Sequence, residues 1–170
     1  MTLESIRIRS LVEVYLRDCR SGELALVASG SNLLTTAGSE HYAQLIAGGT
    51  PPNAFEALVL GTGSAAPAVG DTLANITQVA GSLKLLDAGY PKANDDDTGN
   101  ADRGAKRVTY RCTYAASEAN ATGITRIAVT NFRGGAPGTA EPLLLHAAIS
   151  SFNKTGSNEL IVYVNHEIAN

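Results

Sequence analysis

Several groups of residues in this chain have the types and spacing that chemistry could use. Gly61-Thr62-Gly63-Ser64-Ala65-Ala66 follows the apolar run Ala57–Leu60 and fits G-x-G-x-x-A, the loop that cradles a dinucleotide pyrophosphate. Asp87 then stands about where a ribose-binding acid would be. That chemistry needs a helix whose N-terminus faces the phosphates, and Pro67 and Gly70 interrupt one at once, so the stretch reads as a loop. Asp95-Asp96-Asp97 offers hard oxygen ligands on a glycine-containing loop, the donor set a calcium ion takes. Aligning Asn94, Asp96, Thr98 and Gly99 with the calcium-loop template puts Ala105 where the bidentate glutamate belongs, so it is not an EF-hand, and a solvated loop is expected.

The three histidines, His41, His146 and His166, lie too far apart in sequence for a zinc-binding spacing. His41 is expected on the surface of a helix, and His146 and His166 are expected to be satisfied structural histidines within strands. Neither a G-x-S-x-G elbow nor a Walker-type phosphate loop is present. Cys112 lies in an alternating apolar run and reads as a buried free thiol, whereas Cys19 lies in a polar turn and reads as more exposed. Two cysteines without a CxxC neighbour make no disulfide framework. The expected site inventory is therefore empty: no catalytic residue, no cofactor and no metal.

The elements that position these groups alternate with period 2. Ile6, Ile8, Val12, Val14 and Leu16 share one parity, and Arg7, Arg9, Glu13 and Arg17 share the other, which predicts a long strand with one buried face. A turn at Asp18–Gly22 returns it to Leu24–Ala28. Similar runs stand at Phe55–Leu60, Ser82–Leu86, Val108–Tyr114, Ile124–Thr130, Leu143–Ile149 and Leu160–Ile168. About eight strands separated by Gly, Pro, Asn and Asp clusters predict an all-β fold, an antiparallel sandwich. One short helix is expected over Gly38–Gly49, capped by Thr35 or Thr36, with Tyr42, Leu45 and Ile46 on one face. A further helical turn is expected around Asp71–Ile76.

Length and charge bound the rest. The 170 residues form a single expected domain, with 1–9 as an extended arm and 88–107 as an exposed loop. Thirteen Lys+Arg against sixteen Asp+Glu give a net charge of −3, which provides no basic field for nucleic acid. Aromatics are only 5% and Trp is absent, which argues against stacking platforms for sugars or single strands. No apolar run has signal-peptide or membrane-spanning length, so synthesis in a cytoplasm is expected. The Asn-x-Ser/Thr matches at Asn75, Asn120 and Asn153 are then coincidental. Charged residues make up 17%, below the roughly 25% of an average domain, as expected where partners cover part of the surface.

The order of features carries a resemblance. Val12-Glu13-Val14 leads into Arg17-Asp18 and Gly22-Glu23, followed by Ser31–Gly38, a helix ending in Gly48-Gly49, and Phe55–Gly63. Pro67 and Gly70-Asp71-Thr72-Leu73 complete an "L-G-T-G-x-x-x-P-x-x-x-D-T-L" stretch from Leu60 to Leu73. Tyr110–Tyr114, Ser117–Ile124 and Phe152–Thr155 follow, with Arg126 standing where a glutamate is expected. This resembles small virion structural proteins of tailed bacteriophages, and is similar to the β-sandwich, often jelly-roll, capsid cement or decoration proteins. The resemblance implies a jelly-roll-like sandwich without catalysis, located in the virion and clamping adjacent copies of the major capsid protein. It equally implies a tail, collar or fibre-anchoring protein bound to tail or collar partners. A homo-oligomer or symmetric assembly is expected, without nucleic acid or membrane. Met1–Arg9, Ala88–Arg107 and Arg133–Glu141 are the expected contacting parts, and Arg7, Arg9 and Arg17 the charges that blunt or cover strand edges.

Overall fold

The structure, a computed structural model, describes residues 7–93, 107–131 and 140–169. Seven of the expected strands are present as long strands, β1 (Arg7–Asp18), β2 (Leu24–Leu34), β3 (Phe55–Thr62), β7 (Arg107–Tyr114), β8 (Ala121–Asn131), β9 (Leu143–Lys154) and β10 (Asn158–Ala169), whereas the expected Ser82–Leu86 is a strand only at Lys84–Leu85. Three two-residue strands, β4 (Thr77–Gln78), β5 (Lys84–Leu85) and β6 (Lys92–Ala93), and one helix, α1 (Thr36–Ile46), complete the set. The fold is all-β and antiparallel with a single short helix.

Hydrogen-bonded neighbours run in the order β4-β3-β8-β9-β2-β1-β10-β7-β6, with β5 also on β3. The pairing is nested: β1 with β10, β2 with β9, and β3 with β8. Strand β2 belongs to both layers. Its first part, Leu24–Ser31, pairs with β1, and its last three residues, Asn32–Leu34, pair with β9. On the far side Leu86 N–H donates to Glu56 O and Asp87 N–H to Arg111 O, both at 2.9 Å, so the 84–87 segment ties β3 to β7. The sandwich is thereby joined along both sides, as a flattened barrel.

Period 2 explains the core. Val12 and Val14 of β1, Tyr110, Cys112 and Tyr114 of β7, and Leu160, Val162 and Val164 of β10 face Leu58, Leu60, Ile127, Val129 and Ala147 of the other layer. Each large side chain removed from water here contributes roughly 1.5–3 kcal/mol. Tyr114, fully buried, reaches across the layers to donate its hydroxyl to Ser82 O at 2.7 Å and, more loosely, to Leu58 O at 3.3 Å. A second small core, Val59, Leu73, Ile76, Ala128 and Leu143, lies on the outer face of the β3-β8-β9 layer under the strap that follows β3. The expected helical turn in that strap is a 3₁₀ turn at Leu73–Asn75.

Three expectations change in detail. Residues 92–93 of the expected 88–107 loop are strand β6 on β7, and Arg107 is a buried residue of β7. Residues 7–9 of the expected arm are already paired in β1, with Ile8 opposite Ile168 and Arg9 opposite Glu167. Residues 1–6, the 94–106 part of the second expected contact with Asp95–Asp97, and the 133–139 part of the third lie outside the described residues. The helix starts as expected, with Thr35 Oγ1 accepting from Gly38 N–H at 3.1 Å, but its face is different. Leu45 and Ile46 are 50% and 78% exposed, and the inward side is made by buried Gly38 with half-buried Ala37, His41 and Tyr42.

Candidate functional site

The helix closes one end of the flattened barrel, and the polar residues gather there. A Cβ on Gly38 would lie 2.1 Å from Leu144 O, so only glycine lets α1 approach β9 this closely. Docked this way, α1 brings Tyr42 to Tyr110 of β7, His166 of β10 and Asn32 of β2. The Tyr42 hydroxyl lies 2.5 Å from His166 Nδ1 and 3.2 Å from the Tyr110 hydroxyl, and Asn32 Nδ2 lies 3.4 Å from His166 Nε2. The Asn32 amide donates to Nε2, so Nδ1 carries the proton and donates to the Tyr42 oxygen. The Tyr42 O–H is then left to donate to Tyr110.

Burial sets the charge state of this cluster. It pushes the His166 imidazole down to about 4, so the ring is neutral near pH 7. Burial also raises both tyrosines above their ordinary value. A neutral imidazole, 3% exposed and bonded at both nitrogens, has no free nitrogen to offer a substrate. His166 is a satisfied structural histidine, as expected. His41 is not on the outer surface: its ring packs edge-on against Phe55 with centroids 5.0 Å apart, and its buried Nδ1 has no hydrogen-bond partner. His146 Nδ1 pairs with Asp71 Oδ2 at 2.7 Å, and its Nε2 is buried without a partner.

The G-x-G-x-x-A stretch is occupied by the protein itself. Thr125 Oγ1 donates to Gly63 O at 2.7 Å and Arg126 Nη2 to Ala65 O at 2.8 Å. A Cβ on Gly61 would lie 2.5 Å from Ile76 Cγ2, so that glycine is a crossing point for the strap and not a phosphate cradle. Arg126, the departure from the expected glutamate, is the residue that holds the strap down. Asp87, the would-be ribose acid, accepts from Arg111 Nε at 2.8 Å and from Thr113 N–H at 3.0 Å, at the closure of the barrel.

Other polar groups are likewise bonded inward. Lys154, 2% exposed, donates to Ala115 O, Ala116 O and Asn120 Oδ1 at 2.9, 3.2 and 3.0 Å, holding the β7–β8 turn. Asn75 accepts from Thr72 and Asn120 from Lys154 at turns, and Asn153 accepts from Gly123 N–H at an irregularity in the β8–β9 ladder, so all three asparagines of the Asn-x-Ser/Thr matches are engaged by the fold. Cys112 is a buried free thiol and Cys19 an exposed one, both as expected. Among the described residues no group of three or more metal-ligating side chains converges, and no helix is long and apolar enough to cross a membrane.

Two surface recesses among the described residues bear on ligand binding. One of about 190 Å³, lined by Arg9, Ser10, Leu11, Asn165 and Glu167, is below the roughly 300–1,000 Å³ of small-molecule sites. The other, about 490 Å³, is an open dish on the exposed turns around Asp18, Cys19, Arg20 and Ser157.

Sequence reasoning missed Tyr42, Tyr110, Asn32, Ser82 and Lys154 as partners. A signal existed for two of the cluster residues. His166 shares the inward parity of Leu160, Val162 and Val164, and Tyr110 that of Cys112 and Tyr114, which marks polar groups aimed at the core. Tyr42 was legible as part of the helix's apolar face, but nothing in the sequence pointed to the residues it meets.

Comparison with known proteins returns no match: no family model, no curated protein and no solved structure is similar to this chain. The comparisons therefore add no link to the virion proteins that the sequence resembles.

Proposed function

We propose that this chain is a non-enzymatic structural protein of a tailed-phage virion, a capsid cement protein that clamps adjacent capsid subunits. The observation that carries this reading is how the side chains are divided between inside and outside. His166, Lys154 and Arg126, and His146 through its Nδ1, bond to the protein's own backbone and side chains. Leu24, Leu26, Leu45 and Ile46 instead stand 48%, 54%, 50% and 78% exposed. Scattered exposed leucines are ordinary, but pairs one or two residues apart on a domain with few charges form sticky edges suited to other proteins. A sandwich lends its sheet faces and turn tips to such contacts. Repeated by symmetry, interfaces of roughly 1,000 Å² or more turn weak pairwise binding into a stiff shell.

The test is co-sedimentation of the purified protein with phage heads that lack it, and separately with purified tails. Saturable binding to heads at hundreds of copies is the expected result. Binding to tails at a handful of copies replaces the cement reading with a collar or fibre-anchoring one, and binding to neither sinks both.

A further inference from the structure

The β1–β2 hairpin carries an open sheet edge. Leu24–Val27 has a β-partner on one side only among the described residues; at Gly30, where an added Cβ would lie 2.5 Å from Ala148 O, β2 already lies against β9, and their pairing begins at Asn32. A bulge displaces Val27, since Ala28 lies opposite Val14 and Leu26 opposite Tyr15. Beyond the bulge Leu24, Ala25 and Leu26 are all exposed, while β1 beside them stays paired with β10 as far as Asp18. An unpaired strand edge is a row of backbone donors and acceptors that only another extended strand can satisfy along its length. Proteins usually blunt such an edge with charge or proline, and the run Leu24-Ala25-Leu26-Val27-Ala28-Ser29-Gly30-Ser31-Asn32 contains neither.

We propose that this edge pairs with the same edge of a second copy of the chain, antiparallel about a two-fold axis through Ala25. The sequence is self-complementary about that point. Leu24 of one copy meets Leu26 of the other, Ala25 meets Ala25, and Glu23 meets the uncharged Val27, so no like charges face each other. Leu24 and Leu26 share the outer face with Tyr15 and Arg17, so the two copies bring four leucines into one strip across the axis. A heterologous strand would need its own match to this pattern, whereas a second copy supplies it by symmetry. The contact is small, so association of the free protein is weak. It fills where copies are held at high local concentration. The inference does not rest on the virion reading, and its test uses the purified protein alone.

Directly opposed residues of antiparallel strands have Cα atoms about 4.5–5.5 Å apart, inside the 4.4–6.8 Å span of a disulfide. Ala25→Cys in a Cys19→Ser background should therefore oxidise to a covalent dimer under mild conditions. The control is Val69→Cys in the same background, at a position 58% exposed on the strap. A rate at least ten-fold above the control is expected, and adding Leu24→Lys and Leu26→Lys should bring it down to the control rate. Both leucines are about half exposed, so the lysines should leave the thermal midpoint nearly unchanged. Equal rates for Ala25→Cys and Val69→Cys overturn the proposal, even if the lysine variants fail to fold. So does a fast rate that the lysines leave untouched in a folded protein.

Discussion

His166 shows how a single residue links packing to solution behaviour. Its ring is neutral when folded because burial disfavours the imidazolium, and Tyr42 and Asn32 occupy its two nitrogens. In the unfolded chain the ring returns to its ordinary value near 6.5. The unfolded state then binds the extra proton first, and stability falls as pH drops from about 6.5 towards about 4. At pH 4.5 the loss from this group is about 2–3 kcal/mol, taking 1.36 kcal/mol per pKa unit. Urea midpoints at pH 7 and 4.5 should show this loss in the native chain. A His166→Gln variant should lack about that much of the acid sensitivity. The remainder belongs to other groups, among them His41, which burial also lowers, and Glu118, whose carboxylate Lys84 holds below its ordinary range. If the native chain and the variant lose stability in parallel, the assignment of a buried neutral ring is wrong.

At the scale of elements, the strap between β3 and β4 and the helix α1 were read to different depths. Pro67 and Gly70 marked the strap as a loop, but the sequence did not show that it folds back over β8 and β9 to build a second core. Arg126, 7% exposed, holds it by a charge-assisted bond from Nη2 to Ala65 O at 2.8 Å, while Nη1 turns back to Thr125 O of its own strand at 2.7 Å. Arg126→Met keeps much of the stem's packing and removes those bonds, leaving two carbonyls short of a donor. It should cost about 1–3 kcal/mol and should speed hydrogen exchange and proteolysis across 63–72 ahead of the β-strands. Global destabilisation without local opening would mean that the strap is not a separable unit. For α1 the limits were legible in Thr35 and in Gly48-Gly49, whereas the buried face was not. The helix closes the barrel end with its first two turns, so Leu45 and Ile46 overshoot the rim and remain in solvent.

For the whole molecule, the two thiols report on the closed core. Cys112 is fully buried between the layers, and burial pushes its thiol up to about 12. Cys19 is exposed on the turn after β1. In a native preparation one thiol should react at once with a disulfide reagent. The second should react only at the rate of global unfolding, because no edge opening exposes a core closed on one side by β2 and on the other by the 84–87 segment. Two fast thiols would show that the 84–87 closure opens in the native state. A third class of behaviour, fast only in the Arg126→Met variant, would place the opening in the strap.

The sequence by itself determined the strands, their buried parity, the turns, the single helix and its cap. These depend on neighbours one to four residues apart, where period and turn chemistry act. Only the tertiary structure decided that β2 serves both layers, that 84–87 closes the far side, and that Arg126 holds the strap. It also decided that Tyr42 meets His166 across 124 residues of chain. Such contacts join residues that no local period relates, and the chain settles them together, by burying the most apolar surface that leaves nearly every interior polar group a partner.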